Sequence, residues 1–309
     1  MYLLREMSRS RFIECLSKSI RQRTTEFRWK TWKTQLFISP PIEEQTQIVS
    51  FLDTKTQKID ELIEKTEQKI KLLKEKRTSL INHCVTKGLN PDVEMKDSGV
   101  EWIGEIPSHW IESQFKYYIK LRHGHQFRDG DFTDKGIKIV KITQLDKGGF
   151  LNLSNCSKID KERLTDFEDI LIYENDILMC LTGGTIGKII KVGKVDEPLL
   201  QNYRVGHFSP IDNKSMGNNY MFYLMSSEVI VGQIFYDVRE TGQPNIGMED
   251  MNRMRICIPP ISEQNQIVEY LDEQTQKIDY TIEKETQRIE LLKEYRQSLI
   301  SEVVTGKVD

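Results

Sequence analysis

Cysteine is scarce in this chain and unpaired in its spacing. The five residues Cys15, Cys84, Cys156, Cys180 and Cys257 form no CxxC pair and are odd in number. A zinc finger or a disulfide framework is therefore not expected, and reduced cytosolic thiols are. Long apolar runs are also missing. No stretch approaches the roughly 18 residues a membrane span needs, and Arg5, Arg9 and Arg11 break up the N-terminus as a signal peptide. The expected location is the cytoplasm, without membrane attachment. Enzyme signatures fail in turn. There is no G-x-G-x-x-G loop, and Leu181–Lys188 (LTGGTIGK) has the wrong spacing for a phosphate loop, with no Ser or Thr after the lysine. Pro91-Asp92 followed by Glu94-x-Lys96 resembles a nuclease metal site, but its acids sit two residues apart instead of on separate strands. Ser39-Pro-Pro-Ile42 lacks both the leading amide or acid and the aromatic with which amino-methyltransferases hold a flipped base. His123 and His125 have no acidic or Cys partner at ligand spacing. No catalytic, cofactor or metal site is expected in this chain.

Strong charge of one sign is absent overall: the net charge is −3 over 309 residues. Its distribution is uneven. Residues 1–39 carry nine Lys/Arg against three Asp/Glu, and residues 259–309 carry six against eleven.

What the chain does have is a long internal repeat. Residues 40–86 return as 259–305 at an offset of 219, with 30 of 47 positions identical and no gap. A repeat of this kind is read before anything else, because each copy must form the same unit. Apolar residues fall at Leu52, Ile59, Ile63, Ile70, Leu73 and Leu80, and again at Leu271, Ile278, Ile282, Ile289, Leu292 and Leu299. That three-four alternation, held over about four heptads, is a coiled-coil seam. Polar residues interrupt it at matching places: Thr56 and Thr275, Thr66 and Glu285, Arg77 and Arg296. Such interruptions allow one register and penalise others. Pro-Pro with acidic residues starts each helix, and Gly88 or Gly306 stops it. Each helix should be roughly 65 Å long.

The rest divides around these helices. Residues 1–39 read as a remnant, with a helix over Tyr2–Cys15 and a short strand over Thr34–Ser39. Residues 40–88 form the first helix. Residues 89–258 are a linker holding Trp102 and Trp110, followed by a mixed domain, and 259–309 form the second helix. Within the domain, Ile137–Thr143 and Ile186–Val192 are β-like, Asp169–Leu181 suggests two short strands around a turn, and Tyr220–Phe235 is helical. The linker tryptophans fit either a clasp onto the helix end or plain core.

Basic segments interleaved with polar side chains run through the domain. Residues 116–141 hold seven Lys/Arg against three Asp, and 182–195 hold Lys188, Lys191 and Lys194 with no acid. Such charges can neutralise phosphates, while Arg, Asn and Gln can read base edges. Gln126, Arg128, Gln144, Gln201, Asn202, Arg204, Arg239, Gln243 and Asn245 are of that kind. The competing reading is that these are ordinary polar side chains facing solvent.

The repeated PP-I-x-EQ-x-QIV helix and the run LNPDVEMKDSGVEWIGEIPSHW resemble the specificity (S) subunit of type I restriction–modification systems. So do GIKIVKITQLDKGG, LTGGTIGKIIKV, QNYRVGHFSP and ETGQPNIGMEDMNRMRICIPP, which look like ordered blocks of that family's target-recognition domains. The resemblance implies a non-catalytic subunit that binds double-stranded DNA at a split site. It implies two helices paired antiparallel as a spacer, and methyltransferase (M) and restriction (R) subunits as partners. S-adenosylmethionine, ATP and Mg would serve those partners. A family member has a whole recognition domain before the first helix, whereas only residues 1–39 stand there in this sequence. That leaves open a subunit lacking most of its first recognition domain, or a half-subunit completed by a second S chain.

The expected fold is α+β: one globular target-recognition domain plus two long helices pairing as an antiparallel coiled coil. The residues expected at the DNA are His125, Gln126, Arg128, Lys141, Gln144, Thr182, Thr185, Arg204, Arg239 and Gln243. The alternative is a truncated coiled-coil scaffold that binds partner subunits without DNA specificity.

Overall fold

The computed structural model describes residues 2–9, 18–21, 24–26, 30, 33–36, 39–100, 103–146, 151–241 and 245–307. In chain order these form α1 (Tyr2–Arg9), β1 (Lys18–Arg21), β2 (Thr24–Glu26) and the long helix α2 (Ile42–Lys87). There follow β3 (Met95–Asp97), β4 (Glu105–Pro107), β5 (Ile111–Gln114), β6 (Ile119–His123), β7 (Ile137–Val140) and β8 (Lys158–Ile159). Next come β9 (Leu171–Ile172), β10 (Ile177–Cys180), β11 (Ile189–Lys191), β12 (Leu199–Gln201) and β13 (Val205–Pro210). The chain closes with α3 (Asn218–Ser226), α4 (Glu228–Thr241), α5 (Met248–Arg253), β14 (Arg255–Ile258) and the second long helix, α6 (Ile261–Val304). It divides into two compact units, one of Met1–Glu75 with Lys277–Asp309, the other of Lys76–Gln276.

In the first unit the two long helices run antiparallel. Arg296 donates to both carboxylate oxygens of Asp60 at 2.8 and 3.1 Å, and Lys69 donates to Glu285 at 2.5 Å, so partner numbers fall on one helix as they rise on the other. The seam residues of this unit behave as the spacing requires. Leu52, Ile59, Ile278 and Ile289 are buried, and Ile63, Ile70, Leu73, Ile282, Leu292 and Leu299 are half-buried. The polar interruptions are satisfied locally: the Thr56 and Thr66 hydroxyls donate back to the Leu52 and Leu62 carbonyls at 2.7 Å. α1 lies on α2, where the Tyr2 hydroxyl donates to Asp53 at 2.7 Å and stands 3.3 Å from the Thr56 hydroxyl.

In the second unit, two four-stranded sheets carry the domain. One has the order β11-β10-β13-β6, antiparallel throughout; the other has the order β8-β7-β12-β9, with β7 and β12 parallel. β10 reads Ile-Leu-Met-Cys and is buried along its whole length, as a central strand covered on both faces must be. Between β9 and β10 the chain turns at Asn175, whose φ of 69° is the left-handed conformation asparagine tolerates. Phe115 packs edge-on against Phe208 in a core that also takes in Trp110, Tyr220, Ile267 and Leu271. Leu80 is half-buried and packs on that core, and Leu271 is fully buried in it, so both seam residues of this unit serve the domain.

Gly88 and Gly306 adopt φ of 74° and 69° just past their helices, the left-handed ending for which glycine is the low-cost residue. Trp110 resolves the two readings of the linker, since it does both. It is buried in the core, and its indole N–H donates to Glu263 in the first turn of α6 at 3.1 Å. Trp102 lies outside the described residues.

Two expectations need correction. The segment 220–235 is two helices, because Ser227 breaks it. The Ser227 hydroxyl donates back to the Leu224 carbonyl at 2.6 Å, and Asn82 of α2 accepts from the Glu228 N–H at 2.9 Å, capping a fresh helix start. The strand expected over Thr34–Ser39 is not seen in its described residues, which are turn and coil. Of the helix expected over Tyr2–Cys15, α1 covers the first part, and residues 10–17 lie outside the described residues.

Candidate nucleic-acid interface

Several strand ends of the second unit meet at one place. β6 stops at His123 opposite Gly206 of β13, and β10 stops at Cys180 opposite Val205. In the other sheet β7 stops at Val140 beside Gln201, the last residue of β12. The loops that leave these ends are tied together through their backbones. His125 N–H donates to the Gln201 carbonyl and Tyr203 N–H to the His125 carbonyl, both at 3.0 Å. Asn202 N–H reaches the Val140 carbonyl, Leu181 N–H the Arg204 carbonyl, and Ile246 N–H the Leu181 carbonyl, each at 3.0 Å. Thr182 bridges Asn245. Loops held this way by two sheets are where binding residues are commonly displayed. The approach is close enough to demand glycine at 124, where a Cβ would lie 2.1 Å from the Gln201 carbonyl oxygen.

The residues singled out from the sequence fall on this edge unequally. His125, Gln126, Arg128 and Arg204 are exposed. The His125 imidazole rests against Phe127 and Phe167, with ring centres 5.0 Å from each. Arg128 is carried on a turn that Asp131 fixes by accepting its N–H at 2.8 Å and Arg163 Nη1 at 2.8 Å. These two contacts hold the Asp131 carboxyl below its ordinary value, the Arg128 amide contributing most. Thr182 and Thr185 are half-buried around the turn that begins at Gly183. Lys141 is half-buried: its ammonium donates to the Ser157 hydroxyl at 2.7 Å and lies 4.3 Å from the Phe132 ring centre.

Gln144 does not fit the expected role. It is buried, and its side chain accepts from the Lys141 N–H and the Thr143 hydroxyl at 3.1 and 3.0 Å, so its amide shapes the loop. Gln201, also a candidate reader by type, is fully buried. Its amide accepts from Arg122 Nε and donates to the Arg122 and Val205 carbonyls. Arg122 in turn donates to the Asp169 and Leu171 carbonyls at 2.8 and 2.9 Å, bracing the two sheets at this end. Arg239 lies in α4, and Gln243 lies outside the described residues.

Two further residues stand at this edge. Asn245 is exposed at the bridge to Thr182. Tyr203 holds Arg204, accepting from its Nε at 2.7 Å with the guanidinium 5.3 Å from the ring centre. The Tyr-Arg adjacency in QNYR was the available signal.

Among the described residues no group of three or more His, Cys, Asp or Glu could hold a metal ion. The Cys84 and Cys257 thiols are pushed up to about 11 by burial, and burial raises Cys180 as well, so these sulfurs stay protonated and are poor nucleophiles. A cavity of about 440 Å³ between α4, α5 and β14 is lined by Arg253 and Arg255, which pair with Asp250 and Glu112. No described helix is long and apolar enough to cross a membrane.

Residues 110–293 match the type I restriction modification DNA specificity domain. The chain belongs to this family. A related specificity subunit is that of the type I restriction enzyme MjaVIII of Methanocaldococcus jannaschii, 27% identical over 274 residues. The match covers 87% of this chain and 61% of that protein. The EcoBI specificity subunit of Escherichia coli is 24% identical, with 90% of this chain and 60% of that protein covered. This specificity-domain chain thus spans about three-fifths of the length of the curated relatives it matches. Its fold is shared with a chain from a structure on complex assembly and conformational transition of the type I R-M system. The TM-score is 0.70 at 15% identity, covering 97% of this chain and 70% of that one. The HsdS subunit of Thermoanaerobacter tengcongensis matches with a TM-score of 0.52 at 16% identity, covering 99% and 70%.

Proposed function

We propose that this chain is a sequence-specific DNA-binding specificity subunit of a type I restriction–modification complex. Residues 115–258 read one half of a bipartite site, and the paired helices hold the methyltransferase subunit at a set distance from it. The observation that carries this reading is the convergence of loops 124–128, 141–145, 181–187 and 202–204 on one edge of two sheets, with Arg128 and Arg204 exposed there in a chain of this family. Membership alone would support the assignment to the complex; the welded, arginine-bearing loops support contact with DNA. The chain itself catalyses nothing. S-adenosylmethionine belongs to the methyltransferase partner, and ATP with Mg belongs to the restriction partner.

The test is binding of the chain, complexed with its methyltransferase, to duplex DNA across a salt series. Arginines that neutralise phosphates make log K fall linearly with log salt, and a specific site should bind about a thousandfold or more tighter than random duplex. Salt-dependent binding with no preferred sequence would favour the other expectation, a scaffold that assembles with partner subunits without reading DNA. A second chain of the same family supplying the other half-site would appear as two S chains per complex in mass measurements.

A further inference from the structure

We infer that Arg204 reads a guanine in the half-site recognised by this chain, and that Tyr203 is the positioning residue that aims it. The inference rests on the DNA-reading function proposed above and names the base.

Arg204 lies between β12 and β13 on a stretch of the candidate edge that is tied to its neighbours. Its N–H donates to the Asn202 side-chain oxygen at 3.3 Å, and its carbonyl accepts from Leu181 N–H at 3.0 Å. The preceding residue, Tyr203, is tied to the His125 carbonyl. The backbone that carries the arginine is thus anchored to two neighbouring loops. The side chain is also constrained: the Tyr203 hydroxyl takes up Nε at 2.7 Å, and the ring lies under the guanidinium at 5.3 Å. An arginine that acts through its charge alone needs only to lie near its partner, whereas a bidentate contact, to a phosphate or to a base edge, needs a defined plane. Fixing the plane of the guanidinium matters when two parallel hydrogen bonds must meet two acceptors. With Nε occupied, Nη1 and Nη2 make no hydrogen bond among the described residues, and the side chain is exposed. That pair of donors matches O6 and N7 of guanine in the major groove, which no other base offers as paired acceptors.

The experiment co-expresses the full chain with the methyltransferase subunit of its own system and maps methylated adenines across the genome, for wild type, Arg204→Lys, Arg204→Ala, Tyr203→Phe and Tyr203→Ala. Wild type should yield a motif with a guanine in one half. In Arg204→Lys, which keeps the charge but not the fork, preference for that guanine should fall on the order of ten- to a hundredfold while the other positions hold. Arg204→Ala should relax the same position. Tyr203→Ala should relax it less, and Tyr203→Phe, which keeps the stack, least of all. A lysine variant that keeps the motif intact, or an alanine variant that weakens methylation evenly at all positions, would show a phosphate contact and overturn the inference. A wild-type motif with no guanine would sink it alone. Wild-type methylation with no motif would sink the DNA-reading function along with it.

Discussion

The two copies of the repeated segment form the same helix, yet their first turns meet different surroundings. In the second copy, Glu263 accepts from His109 and the Trp110 indole, and the fully buried Gln264 amide bonds the Ser215 carbonyl and the Gly217 N–H, besides the Pro259 carbonyl whose counterpart Pro40 accepts from Gln45 in the first copy. Ile267 there is fully buried. In the first copy the matching Glu44 and Gln45 are exposed and Ile48 is half-buried, with Ile42 73% exposed. Five residues further on, at Asp272 and Asp53, the copies agree again. Tyr223 donates to Asp272 at 2.5 Å and lies 3.3 Å from Thr275, just as Tyr2 does with Asp53 and Thr56. A repeated sequence therefore specifies the helix and its seam. What a given face is worth depends on the elements that reach it.

Substitutions made in pairs would break or sharpen this contrast. Ile267→Ala removes a fully buried side chain and should cost about 2–5 kcal/mol, whereas Ile48→Ala should cost clearly less; chemical denaturation of both variants makes the comparison. Gln264→Ala would strand the Gly217 N–H and two carbonyls, an expected loss of about 1–3 kcal/mol. Its counterpart Gln45→Ala should stay within about 0.5 kcal/mol, as exposed sites do. Equal losses for both would show that the first copy is covered as the second is. Tyr223→Phe and Tyr2→Phe should both destabilise, the buried Tyr223 more than the half-buried Tyr2, in thermal unfolding. By contrast, Tyr220→Phe should be neutral or stabilising, because the Tyr220 hydroxyl is buried with no hydrogen-bond partner among the described residues.

The smallest effect concerns the seam position where the copies differ, Thr66 against Glu285. Lys69, by a direct hydrogen bond, holds the Glu285 carboxyl below its ordinary value, with Arg288 adding to it. A depressed carboxyl stabilises the folded state above its unfolded value, and that contribution is lost as pH falls through the lower folded value. Glu285→Gln should therefore be less stable than wild type at neutral pH, and the two should converge in strong acid. A difference that persists at low pH would assign the effect to packing.

Much of this was legible in the residues. The seam spacing gave both helices to within a few residues, and the glycine stops were read correctly, because period and caps are local properties. The unequal burial of the two copies was not legible: Gln45 and Gln264 stand in nearly the same sequence, and only tertiary contacts separate them. The candidate site was half legible for the same reason. His125, Gln126, Arg128 and Arg204 are exposed where the loops meet, but Gln144 and Gln201 have side chains of the same type spent inside the loops. Composition shows which groups can hydrogen-bond; the fold decides which are already bonded. The break at Ser227 escaped because its cap comes from Asn82, far away in sequence.

The most direct measurement is genome-wide adenine methylation after co-expression of this chain with the methyltransferase subunit proposed as its partner. The expected result is a split motif, one half of which follows residues 115–258 when that domain is exchanged for another family member's. A stable complex that methylates without any sequence preference, or a motif indifferent to the exchange, would contradict the claim that this domain reads DNA.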